Sequence, residues 1–234
     1  MNTLLAFLLL TLPAVVQAQF IFITNNGAIT ITGCTNSFGN SESVAIPDTI
    51  NGLPVVGIGY YACSYKSMTN VTIGNNVTNI GPYAFWSCSY LDHVTIPKSV
   101  ASIGGSAFGA CGGALGGSGI KVFFQGDKPG MAEGGILAFG VLYCLPGTIG
   151  WEGTDAVLWN PMVPTGDGSF GIQGNRFGFK ITGTPDIPIV VEATASLDGL
   201  WTPLQSVSLT NGLFYFSDAQ WTNSPGRFYR IRSP

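Results

Sequence analysis

Val71-Thr72-Ile73-Gly74-Asn75-Asn76-Val77-Thr78-Asn79-Ile80-Gly81 returns 23 residues later as Val94-Thr95-Ile96-Pro97-Lys98-Ser99-Val100-Ala101-Ser102-Ile103-Gly104. The correspondence runs on: Tyr83-Ala84-Phe85 falls on Ser106-Ala107-Phe108 and Cys88 on Cys111, so one register holds over a whole repeat length. An upstream copy begins at Val44-Ala45-Ile46-Pro47, takes an insertion around Asn51-Gly52-Leu53-Pro54, and resumes at Ile58-Gly59 with Tyr61-Ala62-Cys63. A worn downstream copy is visible in Val122-Phe123-Phe124. A fixed period of this length means stacked supersecondary units, none able to bury its apolar face alone. That excludes most enzyme folds.

The alternation Val-x-Ile puts two aliphatic side chains inside each coil and turns the residue between them outward, as a strand period of two requires. Val71, Ile73, Val94 and Ile96 are then core. The outward residues Asn70, Thr72, His93, Thr95 and Lys121 are expected to form a column on an exposed strand face, which is the candidate binding surface. Val77 with Ile80 and Val100 with Ile103 supply a second inward pair. Ala84-Phe85 and Ala107-Phe108 fill the space beneath a short turn or single helical turn, each buried Phe contributing about 2–3 kcal/mol.

At these residues the chain resembles the BspA-like leucine-rich-repeat family, whose repeat runs as Val-x-Ile-Pro-x-x-Val-x-x-Ile-Gly-x-x-Ala-Phe-x-x-Cys-x-x-Leu. The likeness covers 44–125, and its specific part is Ile-Gly-x-x-Ala-Phe-x-x-Cys at 80–88 and 103–111. The first copy departs from it with Cys63 in the Phe position, and the third dissolves into Gly112-Gly113-Ala114-Leu115-Gly116-Gly117. The resemblance implies a bacterial surface protein that binds host or matrix components, without fixing a ligand.

The expected fold is mainly β: a short leucine-rich-repeat solenoid with a front β-hairpin cap and a small C-terminal β-sandwich-like domain. Residues 1–18 read as a cleaved signal peptide, with an apolar run from Leu4 to Leu12, Pro13, and Val16-Gln17-Ala18 before the cut. Extended to Val16 the run reaches about 13 residues, short of the roughly 20 that span a bilayer. Residues 19–43 form the cap, with two strands around Asn25-Asn26-Gly27. The solenoid takes 44–145 with degenerate last coils, and 146–164, punctuated by Pro161 and Pro164, reads as a linker. Residues 165–234 carry β signals at Phe177 to Ile181, Ile187 to Glu192, Val207 to Leu209, Leu213 to Phe216 and Arg227 to Ile231, with Asn211-Gly212 as a hairpin turn. This region looks like the β modules that close many secreted bacterial repeat proteins.

Only 9% of the 234 residues are charged, 33 are Gly and 14 are Pro, which points to turn-rich β structure. A formal net charge of −3 offers no basic field, so nucleic acid is not an expected partner. The five cysteines, Cys34, Cys63, Cys88, Cys111 and Cys144, form no C-x-x-C pair, and no zinc site or other cofactor is expected. Cys88 and Cys111 recur one coil apart and read as small buried core residues rather than a disulfide. Cys34 with Cys144 would join the front cap to the end of the solenoid.

His93 is the sole histidine, and without a neighbouring nucleophile it reads as a polar residue of the strand face. Gly104 to Gly119 reads as a loop of a decaying repeat, since it lacks a Lys-Ser/Thr ending. Gly166-Asp167-Gly168 supplies too few oxygens for calcium. Trp151, Trp159, Trp201 and Trp221 read as core or packing residues rather than sugar platforms. Arg230 and Arg232 are expected as solvated charges on one strand face, and Glu152 with Asp155 is the one close acid pair weighed for glycan hydrolysis. The resulting expectation is an exported, non-enzymatic protein, secreted or at the cell surface, whose solenoid binds a protein or glycan. The competing expectation is a structural envelope or matrix component that associates with itself.

Overall fold

The computed structural model describes residues 19–35, 42–113, 119–132, 140–223 and 226–233. The expected signal segment, 1–18, lies outside the described residues, as do parts of the cap and of the glycine-rich loop. The chain divides into two compact units, one of residues 1–122 and 129–140, the other of 123–128 and 141–234.

The strands in chain order are β1 (Phe20–Asn25), β2 (Ala28–Cys34), β3 (Glu42–Ala45), β4 (Thr49–Ile50), β5 (Leu53–Ile58), β6 (Met68–Thr72), β7 (Asn79–Ile80), β8 (His93–Ile96), β9 (Ser102–Ile103), β10 (Ile120–Phe124) and β11 (Gly130–Met131). They continue with β12 (Gly140–Cys144), β13 (Val157–Leu158), β14 (Gly171–Gln173), β15 (Arg176–Thr182), β16 (Pro188–Thr194), β17 (Thr202–Ser208), β18 (Leu213–Asp218) and β19 (Phe228–Arg232).

In the first unit each coil contributes one strand to each of two sheets. One sheet runs β1-β2-β5-β7-β9-β11, with β4 on β5, and the other places β3, β6, β8 and β10 side by side. Equivalent residues face one another in parallel register: Val71 with Val94, and Ile58 with Ile80 and then Ile103. Val71, Ile73, Val77, Ile80, Val94, Ile96, Val100 and Ile103 are all buried, as the repeat requires. Phe85 and Phe108 are fully buried and stack on each other at 5.2 Å with planes 5° apart. The front cap is an antiparallel β1–β2 hairpin turned by Asn26 and Gly27, both in left-handed backbone at φ 50° and 75°. That handedness matches strand twist and suits Asn-Gly.

The second unit holds two three-stranded sheets, β14-β15-β18 and β17-β16-β19. Phe179, Ile181, Ile187, Ile189, Val191, Leu209 and Phe216 form its core, together with Phe123 and Tyr143. The order corresponds to A-B-E and C′-C-F of an immunoglobulin-type sandwich. Asn211 and Gly212 make the tight turn, at φ 54° and 76°, with Thr210 bridged to Leu213. The strands on either side join different sheets, so this turn is a crossover and not the expected hairpin: β17 pairs with β16, and β18 with β15.

The boundaries also differ from the sequence reading. Phe123 and Tyr143, placed in the solenoid by sequence, pack in the sandwich core because their rings stack at 4.7 Å and join it as one block. Residues 146–164 are built in rather than linking: Val157 pairs with Tyr143, Trp159 packs on the core and donates its indole N–H to the Pro188 carbonyl at 2.8 Å, and Met162 bridges to Thr182.

Candidate functional site

On the β3-β6-β8 sheet, Ser43 lies opposite Asn70 and Asn70 opposite His93. The Asn70 amide donates to Ser43 Oγ at 2.9 Å. At the next strand Lys121 Nζ donates to Asp92 Oδ1 at 2.9 Å, and His93 Nδ1 lies 3.3 Å from Asp92 Oδ2. Burial raises the Asp92 pKa, yet the hydrogen bonds from Lys121 and His93 outweigh it and hold the carboxyl below its ordinary value. Asp92 therefore stays charged and fixes both partners at neutral pH.

Of the five residues expected on this face, Asn70, His93 and Lys121 are partly exposed and lie on successive strands, and Thr72 is open to solvent. Thr95 is a correction: it is buried at 9% exposure. Thr72 lies between the small Ala45 and Thr95, whereas Thr95 has on its far side β10, a strand of large side chains (Ile-Lys-Val-Phe-Phe). Ser43 and Asp92 join the same polar row, and the sequence did not point to either. Asp92 precedes its Val-x-Ile strand by one residue, and only the placement of Lys121 beside it reveals the pair. A carboxylate holding a histidine and a lysine can position polar donors for a partner.

A second surface runs along the corner of the coils. Tyr60 and Tyr65 are 66% and 68% exposed. Tyr61 and Tyr83, one coil apart, stack at 4.8 Å, Tyr60 meets both edge-on, and Trp86 meets Tyr83 edge-on at 5.4 Å.

The Cys34–Cys144 pairing is corrected: Cys34 is bonded to Cys63, with Cα atoms 4.9 Å apart, and Cys144 is a buried thiol. The reason is that β2 runs beside β5, which brings Cys34 against the first coil and not its last. Cys88 and Cys111 are buried thiols whose Sγ atoms donate to the Cys63 and Phe85 carbonyls. Arg230 and Arg232 are not merely solvated, because each donates to buried Glu192 at 2.7 Å, and Arg230 also lies 4.4 Å over the Trp201 ring. Trp151 is buried against Phe124. Asp167 pairs with Lys180 and accepts from Ser169, so Gly166-Asp167-Gly168 is a side-chain-capped turn.

Residues 56–115 match the family model described as "BspA type Leucine rich repeat region (6 copies)". Among solved structures the chain is similar to a leucine-rich-repeat protein of T. pallidum, at 20% identity over 54% of this chain and 68% of that one, with a TM-score of 0.39. No curated protein matches the chain. Among the described residues no helix is long and apolar enough to cross a membrane.

Proposed function

We propose that this chain is an exported, non-enzymatic binding module, secreted or held at a cell surface, whose β3-β6-β8-β10 strand face engages a protein partner. The observation that carries the reading is the row Ser43, Asn70, His93 and Lys121, held in register on parallel strands and organised around Asp92. A solenoid offers such a row as an extended, preformed surface. The BspA-type repeat supports a surface-binding role. The Cys34–Cys63 disulfide supports export, because such bonds persist in oxidising compartments.

The test is co-purification of the mature chain with extracellular and surface proteins, followed by affinity measurement on the recovered partner. Asn70→Ala with His93→Ala is expected to weaken that binding about tenfold. Unchanged affinity in the double variant contradicts the assignment of this face.

Self-association is favoured by a separate observation: β1 is the first strand of its sheet and exposes Ile21 and Ile23 at 59% and 57%. An open apolar edge invites strand pairing. Light scattering decides it, since a strictly monomeric chain at high concentration rules this reading out.

A further inference from the structure

We propose that the corner formed by Tyr60, Tyr61, Tyr65, Tyr83 and Trp86 is a second binding site, separate from the strand face, that takes a neutral polysaccharide. The backbone at this corner argues that the rings are there for contact. Tyr61, Tyr65 and Tyr83 adopt left-handed conformations at φ 53°, 57° and 57°. A bulky L-residue is disfavoured there, because its side chain crowds the following carbonyl oxygen. The equivalent places in the neighbouring coils are filled by Ser87, Ser106 and Ala110, at φ 58°, 54° and 55°. The coil therefore runs through these turns with small side chains, and Tyr60 and Tyr65 spend their area on solvent rather than on the core. Tyr65 carries an exposed ring at such a left-handed position and Tyr60 an exposed ring beside another, features that mark a contact surface.

The rings are also fixed before any ligand arrives. The Tyr61–Tyr83 stack, with planes 9° apart, ties one coil to the next. Trp86 rests on Gly109, where an added Cβ would come within 2.3 Å of the indole. A platform already ordered loses little rotamer freedom on binding.

Charge selects the class of ligand. The five rings of the corner bring neither a carboxylate nor a basic group of their own. An anionic or cationic polymer finds no counter-charge in that set. A pyranose with equatorial hydroxyls has an apolar C–H face that stacks on a ring and a polar rim that bonds a phenol or indole N–H. The corner offers both in one place, and Tyr and Trp suit surfaces that are apolar on one side and wet on the other.

The experiment is affinity electrophoresis of the mature chain in gels containing hydroxyethylcellulose, laminarin or galactomannan, with polygalacturonate as the anionic control and calorimetry on whichever retards it. The variants are Tyr60→Ala with Tyr65→Ala, and Tyr83→Ser, which installs the residue of the next coil; an unchanged melting temperature certifies the fold of the first pair. The expected result is retardation by a neutral polysaccharide, weakened about tenfold in both tyrosine variants and unaffected by Asn70→Ala. Absence of retardation by every neutral probe, retention only by polygalacturonate, or equal binding in the tyrosine variants overturns the proposal. A protein partner whose binding alone responds to the tyrosine changes overturns it as well. None of these outcomes bears on the strand face, which Asn70→Ala reports separately.

Discussion

Gly81 and Gly104 explain why Ile-Gly recurs in each repeat. The Gly81 amide donates to the Ile58 carbonyl and the Gly104 amide to the Ile80 carbonyl, each at 2.7 Å. A Cβ on Gly104 would lie 2.3 Å from the Pro82 nitrogen, so close approach of one coil to the next, and not a left-handed backbone, demands glycine there. Glu192 has an equally specific role in the second unit. It is 3% exposed and accepts from Arg230 and Arg232. Burial raises its pKa, but the two guanidinium groups outweigh burial and hold it below the ordinary value. A depressed folded pKa contributes stability that is complete above the unfolded value of about 4.3 and is lost as pH falls through the folded one. Glu192→Gln is therefore expected to cost about 2 kcal/mol at pH 7, the arginines' partial exposure tempering the penalty for an unpaired buried charge, and much less at pH 2. Urea unfolding at both pH values checks this, and an equal loss at both contradicts it.

Among single residues, the aliphatic and Phe positions were legible because period and register repeat, whereas Thr95 was not. Alternation assigns a face but not the flanking bulk that covers it. The corner aromatics were hidden for a related reason: turn positions have no hydrophobic period, and aligning Tyr61 and Tyr83 with Ser106 gives no sign that the rings stack in the open.

At the scale of elements, the front hairpin is secured by covalent chemistry. Ile31 pairs with Ile58, and the Cys34 amide donates to the Ala62 carbonyl at 2.8 Å, setting Cys34 against Cys63. In the Phe position of the first coil, Cys63 gives up a buried ring for a bond across a sequence separation of 29. Closing a loop of that length stabilises by about 3.6 kcal/mol in the chain-entropy account. Cys34→Ser with Cys63→Ser is expected to lower the stability of the first unit by about that amount, and reductant is expected to destabilise the wild type but not the variant. Urea unfolding with and without reductant measures it; a variant as stable as wild type contradicts the role. The anomaly at Cys63 was visible in the sequence, but its partner was not, because nothing in the sequence sets the hairpin beside the first coil. Asn211-Gly212 teaches the same limit: the local turn was legible, and the sheets its flanking strands join were not.

At the scale of the whole molecule, the chain combines two ways of closing a β core. Parallel coils of one repeat build the first unit, and antiparallel strands of unlike sequence build the second. The repeat made the first readable, since each coil restates the rule for its neighbour. In the second, Trp159 and Tyr143 joined a core that no period announced. The functional reading depends on the stack, because both the polar row and the aromatic corner exist only if successive coils lie in register. The most direct test is a double-mutant cycle on Phe85→Leu and Phe108→Leu, residues 23 apart in sequence whose rings stack at 5.2 Å. Stacked coils predict a coupling of about 0.5–1.5 kcal/mol between the two changes. Strict additivity, with each substitution destabilising as if the other ring were absent, would contradict the stack and both surfaces built on it.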